Sequence, residues 1–147
     1  MQNLTLVIPA KNEKESLPIV LDELEKYNLP KIVVLEKTDT QTIEAIKNYD
    51  LKILHQEKKG YGAALIEGIE NVQTDYFVIF NADGSFNPNE LQNMLKILES
   101  RDSDIVFGTR YEKECGSDDD NFITLVGNFI FIKIGNIFFK LNVTDIL

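Results

Sequence analysis

Short apolar runs recur along this chain, and each is followed within a few residues by a segment with helical spacing. That alternation constrains the fold more than any other feature. Runs of four to six apolar residues bounded by turn residues are too short for buried helices and read as strands enclosed on both faces. Leu4-Thr5-Leu6-Val7-Ile8 is the first, and it ends at Pro9. Ser16 is expected to cap the next helix, with Pro18 in its first turn and Leu17, Val20, Leu21 and Leu24 forming the buried stripe. Residues 32–35 repeat the strand signal, 42–49 read as a helix and 51–54 as a third, half-exposed strand. Gly60-Tyr61-Gly62 precedes a helix over 63–71, and the aromatic and β-branched run 76–80 is the strongest strand signal in the chain. Asn87, Pro88 and Glu90 have the pattern of a helix start, so a helix is expected over 88–100. Residues 104–108 read as a fifth strand, and a loop over 112–121 leads to an apolar helix.

Strands alternating with helices at short intervals imply an α/β layered fold with a mainly parallel sheet. Right-handed crossovers then bring the C-terminal ends of the strands to one edge, where ligands of such sheets bind. The polar clusters at residues 9–13, 36–39 and 81–83 each directly follow a strand and should converge there. With 147 residues and no internal repeat, linker or low-complexity segment, the chain is expected to form one domain over 1–147.

Charge narrows the partners. The net charge is −9, from 15 Lys and Arg against 24 Asp and Glu, which argues against a broad basic face for nucleic acid. The charge is also uneven. Residues 1–120 hold 13 of the basic and 23 of the acidic side chains, while residues 121–147 hold only Lys133, Lys140 and Asp145. The expected division is therefore an acidic sheet region over 1–120 and an apolar helix region over 121–147. Five phenylalanines, Phe122, Phe129, Phe131, Phe138 and Phe139, lie in that last part. Lys133 interrupts the apolar run before it reaches the ~20 residues that a membrane span needs. Small and polar residues form two stripes on the helix, Thr124, Gly127, Asn128 and Gly135 on one and Lys133, Asn136 and Lys140 on the other. The helix is either covered by core partners or rests on lipid headgroups through 122–139. Cys115 is the one cysteine and cannot form an internal disulfide, and the N-terminus lacks the pattern of a signal peptide, so a cytoplasmic location is expected.

Among groups able to do chemistry, Asp83 ranks first. It stands at the end of a strand expected to be buried, where a carboxylate is costly unless hydrogen-bonded or holding a cation. Asn81 and Asp83 could turn toward one hard divalent ion, Mg²⁺ or Mn²⁺, bridging a diphosphate. Alone, the pair reads equally as caps of the turn before Pro88. The glycine pair Gly60 and Gly62 could present backbone N–H groups to phosphate or be a plain turn, and Arg110 could pair with phosphate or form a surface ion pair. His55, the single histidine, has no nucleophile motif beside it, so Ser-His-Asp or Cys-His catalysis finds no support.

Taken together, Val7-Ile8-Pro9-Ala10-Lys11-Asn12-Glu13, Gly60-Tyr61-Gly62-Ala63-Ala64 with Gly68, Phe80-Asn81-Ala82-Asp83-Gly84 with Pro88, and Phe107-Gly108-Thr109-Arg110 resemble the family 2 glycosyltransferases in order and spacing. The branch most similar is the dolichol-phosphate (polyprenyl-phosphate) mannose or glucose synthases. The resemblance implies a GT-A fold, a Rossmann-like α/β/α sandwich. It also implies a UDP- or GDP-linked sugar donor, Mg²⁺ or Mn²⁺ on the diphosphate and inversion at the anomeric carbon. It assigns Pro9, Ala10, Asn12 and Glu13 to the nucleotide, Asn81-Ala82-Asp83 to the metal motif, Gly62 to the donor turn and Arg110 to a donor or acceptor phosphate. Val143-Thr144-Asp145 matches the start of a late motif, making Asp145 the candidate general base beside Asp83. A polyprenyl-phosphate acceptor, a peripheral place on the cytoplasmic face of a membrane, a role in cell-envelope polysaccharide or glycolipid synthesis and a homo-oligomer are compatible with that branch.

The chain departs from the family pattern at named positions. Leu35-Glu36 stands where Asp-Asp is usual, leaving Glu36 as the substitute contact, and Asn81 replaces the first metal-motif carboxylate. No arginine follows Arg110, and the sequence stops at Leu147, two residues past Asp145, from which a C-terminally truncated chain is expected. These departures support a second reading, a catalytically weak nucleotide-binding or interaction module on the same fold. A nucleotidyltransferase is disfavoured because no early Gly-rich phosphate loop followed by a basic residue is present.

Overall fold

The structure is a computed structural model that describes residues 3–100, 104–108 and 122–141. Its elements follow the order β1 (Leu4–Pro9), α1 (Ser16–Glu25), β2 (Lys31–Leu35), α2 (Thr40–Ile46), β3 (Lys52–His55), α3 (Tyr61–Glu70), β4 (Tyr76–Ile79), a 3-10 turn (Pro88–Glu90), α4 (Leu91–Ser100) and α5 (Phe122–Phe138). The chain divides into two compact units, Met1–Leu95 and Lys96–Leu147.

In the first unit the strands form one parallel sheet in the order β3-β2-β1-β4, with Val7 opposite Ile32 on one side and Ile79 on the other. All six residues of β1 are buried, as a central strand covered on both faces requires. Alternate side chains serve the two faces. Leu4, Leu6, Ile8, Val33 and Leu35 pack with Leu17, Val20, Leu21 and Leu24 of α1 and Ile46 of α2. Ile32 and Val34 instead meet Ala64 of α3, with Leu54 and Val72 at the margin. Helices on both faces give the layered α/β fold expected from the alternation, in the α/β/α form that the family resemblance implies.

α3 approaches the sheet closely because Gly68 has no side chain. A Cβ there would lie 2.5 Å from Val7 Cγ1 and 3.0 Å from Val34 Cγ2. The crossover from β3 to β4 depends on that contact.

Several local expectations are corrected. Ser16 does not cap α1. Glu15 occupies that position without a side-chain cap bond, and the Ser16 hydroxyl donates back to Glu13 Oε2. Asp39 caps α2, its Oδ1 accepting from Thr42 N–H, so the helix begins two residues earlier than expected. The run 76–80 has the strongest strand composition, yet β4 ends the sheet order and Phe77 is exposed. Residues 104–108, expected as a fifth strand, form no strand, and Ile105 and Phe107 are 62% and 67% exposed. Composition favours extended backbone there, but a strand is held by a ladder to a neighbour, and none is made by these residues.

In the second unit, Asn128 and Gly135 of α5 are buried and Gly127 half-buried, whereas the apolar Phe129, Ile130, Phe131, Ile134, Ile137 and Phe138, and Phe139 directly after the helix, are exposed. Among the described residues no helix is long and apolar enough to cross a membrane.

Candidate functional site

The segment after β1 leaves the sheet at Ala10, whose N–H donates to Val34 O at 2.9 Å. The chain then turns sharply, with Asn12 in the left-handed region at φ 61°. Asparagine tolerates this conformation better than most residues. The turn is fixed from the next loop: Asn12 N–H donates to Asp39 Oδ2 at 2.7 Å and Glu13 N–H to Thr42 Oγ1 at 3.1 Å. Asp39 thus caps α2 with one oxygen and clamps the post-β1 segment with the other. Lys11 crosses toward the same loop, its Nζ 3.5 Å from Glu36 Oε1. An exposed pair of this kind is worth at most ~1 kcal/mol and serves to orient both side chains.

After β4, the buried Phe80 packs edge-on against Phe86, with ring centroids 5.7 Å apart. This anchors the turn between them. Gly84 takes φ 82°, Asp83 Oδ1 accepts from Ser85 N–H at 2.9 Å, and Asn81 Nδ2 donates to Ser85 Oγ at 3.0 Å. Both residues therefore take part in the turn, as the plainer reading of the pair has it. Asp83 is exposed at the sheet edge and not enclosed at a strand end. Neighbouring protein raises its carboxyl pKa, but the Ser85 hydroxyl and N–H and its own N–H outweigh that effect and hold it below the ordinary value. Asp83 is thus an anion at neutral pH.

These segments meet in one cavity of about 350 Å³ at the C-terminal edge of the sheet. Pro9, Ala10, Glu13, Glu36, Gly60, Asn81, Ala82 and Asp83 line it, so eight residues singled out from the sequence come together. Lys11, Gln56, Tyr61 and Ala64 complete the lining. Lys11, Tyr61 and Ala64 lie inside motifs already noted, and Gln56 directly follows β3, so position was the available signal. Asn12 faces a neighbouring cleft of about 220 Å³ with Lys14, Thr38, Asp39 and Thr42, and Gly62 does not line the main cavity. Arg110 and Asp145 lie outside the described residues. His55 is exposed at the end of β3 and lines neither space.

The lining holds three carboxylates, Glu13, Glu36 and Asp83, against one ammonium, Lys11, which is already paired. Any anion entering must bring or find positive charge. Among the described residues no group of three or more His, Cys, Asp or Glu side chains could by itself hold a metal ion. Asn81 and Asp83 fit a partial donor set, two hard oxygen ligands whose remaining partners would be water and the anion's own oxygens.

Residues 5–146 match the family described as Glycosyl transferase family 2. The chain belongs to that family. Its four-stranded parallel sheet flanked by helices is the core of the family's GT-A fold. Among curated relatives of this family 2 chain, the low-salt glycan biosynthesis hexosyltransferase Agl6 of Haloferax volcanii is 28% identical, covering 97% of this chain and 36% of the relative. An uncharacterized glycosyltransferase of Mycobacterium tuberculosis is 31% identical over 73% of this chain and 48% of its own length. A dolichol-phosphate mannosyltransferase of Pyrococcus furiosus is 27% identical, with 75% and 34% covered. The chain thus spans between about a third and a half of the length of these relatives.

Proposed function

We propose that this chain carries the donor-binding region of an inverting glycosyltransferase that moves a hexose from a nucleotide-diphosphate donor to a polyprenyl phosphate. The observation that carries the reading is the single cavity in which the ends of β1, β2 and β4 and the start of α3 meet. In the proposed reaction an acceptor phosphate oxygen bonds to the anomeric carbon from the face opposite the leaving group. The bond from that carbon to the donor diphosphate breaks, and the nucleoside diphosphate departs with the electron pair. An ionised phosphate needs no strong base, whereas a hydroxyl acceptor would need one, for which Asp145 is the proposed residue.

Within this scheme Pro9, Ala10 and Glu13 hold the nucleotide, with Glu36, paired with Lys11, as a further contact, while Asn12 shapes the turn that presents them. Asn81 and Asp83 would hold a divalent ion, which when bound neutralises charge on the leaving diphosphate. The acidic lining supports that assignment, because a diphosphate set against Glu13, Glu36 and Asp83 would otherwise be repelled. Arg110 is proposed to meet a donor or acceptor phosphate. Calorimetric titration of the full-length protein with UDP-glucose and GDP-mannose, with and without Mn²⁺, tests the reading. Metal-dependent binding of one donor is expected, and no binding of either overturns it.

One observation favours a second reading, a nucleotide-binding module without turnover. Leu35, at the first position of the usual Asp-Asp pair, is fully buried in the core and contributes nothing to the cavity. Detection of transferred sugar excludes that alternative. A lipid acceptor would call for a peripheral place on the cytoplasmic face of a membrane, and α5 is proposed to rest on the bilayer. Its exposed apolar side chains and Lys133 suit an anionic interface.

A further inference from the structure

Five residues, 56–60, connect β3 to α3, and the first and last of them, Gln56 and Gly60, line the cavity. They have no regular structure, so their backbone groups need partners from elsewhere. Gln56 N–H donates to Leu35 O at 2.9 Å, tying the start of the loop to β2. The Gln56 side chain then reaches across the loop, its Nε2 donating to Lys58 O and, at 2.8 Å, to Gly60 O. Glu67, on α3, closes the structure from the opposite side. Its Oε2 accepts from Glu57 N–H and its Oε1 from Lys58 N–H, both at 2.9 Å. One carboxylate thus receives two successive backbone donors in a fork, the stronger class of hydrogen bond.

Glu67 itself does not line the cavity, yet Gln56, directly before its two partners, and Gly60, two residues after them, do, as does the following Tyr61. We infer that Glu67 is a positioning residue for the donor site, holding the 56–60 loop so that Gln56, Gly60 and Tyr61 keep their places in the cavity wall. The inference rests on the donor-site reading above. The two backbone donors, Lys58 first and then Glu57, also lower the pKa of the Glu67 carboxyl, keeping it ionised and able to accept both bonds at neutral pH.

The test compares full-length wild type, Glu67→Ala and Glu67→Gln by calorimetric titration with UDP-glucose and GDP-mannose in Mn²⁺, alongside thermal melting. For the donor that wild type binds, Glu67→Ala is expected to raise Kd about tenfold at one site per chain with little change in Tm. Glu67→Gln, which keeps one acceptor oxygen, should fall between the two. A residue that merely held the fold together would lower Tm and the fraction of binding-competent protein without moving Kd. That outcome, or an unchanged Kd in Glu67→Ala, overturns the positioning role. A wild type that binds neither donor overturns the donor-site reading itself, so the two failures are distinct.

Discussion

Asp83 has an observed task in the turn and a proposed one toward a metal ion. One oxygen fixes the turn through Ser85 N–H, and the negative charge is what a divalent ion would need. Asp83→Asn separates them, because the amide oxygen can still accept from Ser85 while the charge is gone. The variant should melt close to wild type yet lose about tenfold or more in Mn²⁺-dependent donor affinity, measured by calorimetry. Equal affinity in the variant would remove Asp83 from the metal assignment. The same logic explains why Asn81 was ambiguous in sequence. An amide serves a turn as well as a carboxylate does and a cation less well, and only its bond to Ser85 Oγ shows which part it plays in the fold.

α3 is constrained by its close approach to the sheet at Gly68. Substituting Gly68 with alanine adds a methyl group that collides with the Val7 and Val34 side chains. Overpacking of this kind costs about 1–3 kcal/mol and exceeds the ~1 kcal/mol that alanine gains in helix propensity. Gly68→Ala should therefore lower the urea midpoint, and a higher midpoint would contradict the close approach. The junction of α1 and α2 has a pH-dependent bond. Tyr49 O–H donates to Asp22 Oδ1 at 2.8 Å, and that bond, followed by desolvation and the charges of Asp22 and Glu25, raises the phenol pKa. The native state holds this proton more tightly than the unfolded chain, so the contribution is present at neutral pH and is lost as pH rises through the tyrosine range. Thermal melts between pH 7 and about pH 11 should show a steeper alkaline loss for wild type than for Tyr49→Phe.

At the scale of the whole molecule, the acidic sheet unit and the apolar α5 face different demands. A surface exposing Phe129, Phe131, Ile137 and Phe138 on one helix, with Phe139 directly after it, is large for a protein meeting water alone. Each such side chain contributes roughly 1.5–3 kcal/mol when fully buried, and each lysine near an anionic surface about 1 kcal/mol. The full-length protein should therefore co-sediment with phosphatidylglycerol-containing liposomes more than with neutral ones, and Phe138→Glu with Phe139→Glu should reduce the bound fraction. Absence of sedimentation with either lipid would remove α5 as a membrane contact.

The layer architecture was legible in the sequence, because strands buried on both faces must be written as unbroken apolar runs and the helices between them as stripes. So was the gathering of the polar segments 9–13, 36 and 81–83 at one edge, since a parallel sheet brings its C-terminal strand ends together there. Which groups brace that edge emerged only with the folded chain. Asp39 serves a backbone N–H 27 residues earlier in the chain, and Glu67 serves two N–H groups across the β3–α3 loop. Periodicity records which side chains leave water, but the partner of a hydrogen-bonding group depends on how the crossovers return, and no local pattern encodes that. The same reason accounts for residues 104–108 and α5. Apolar composition expressed a preference for burial in both, while exposure was set by the neighbours that the folded chain supplied.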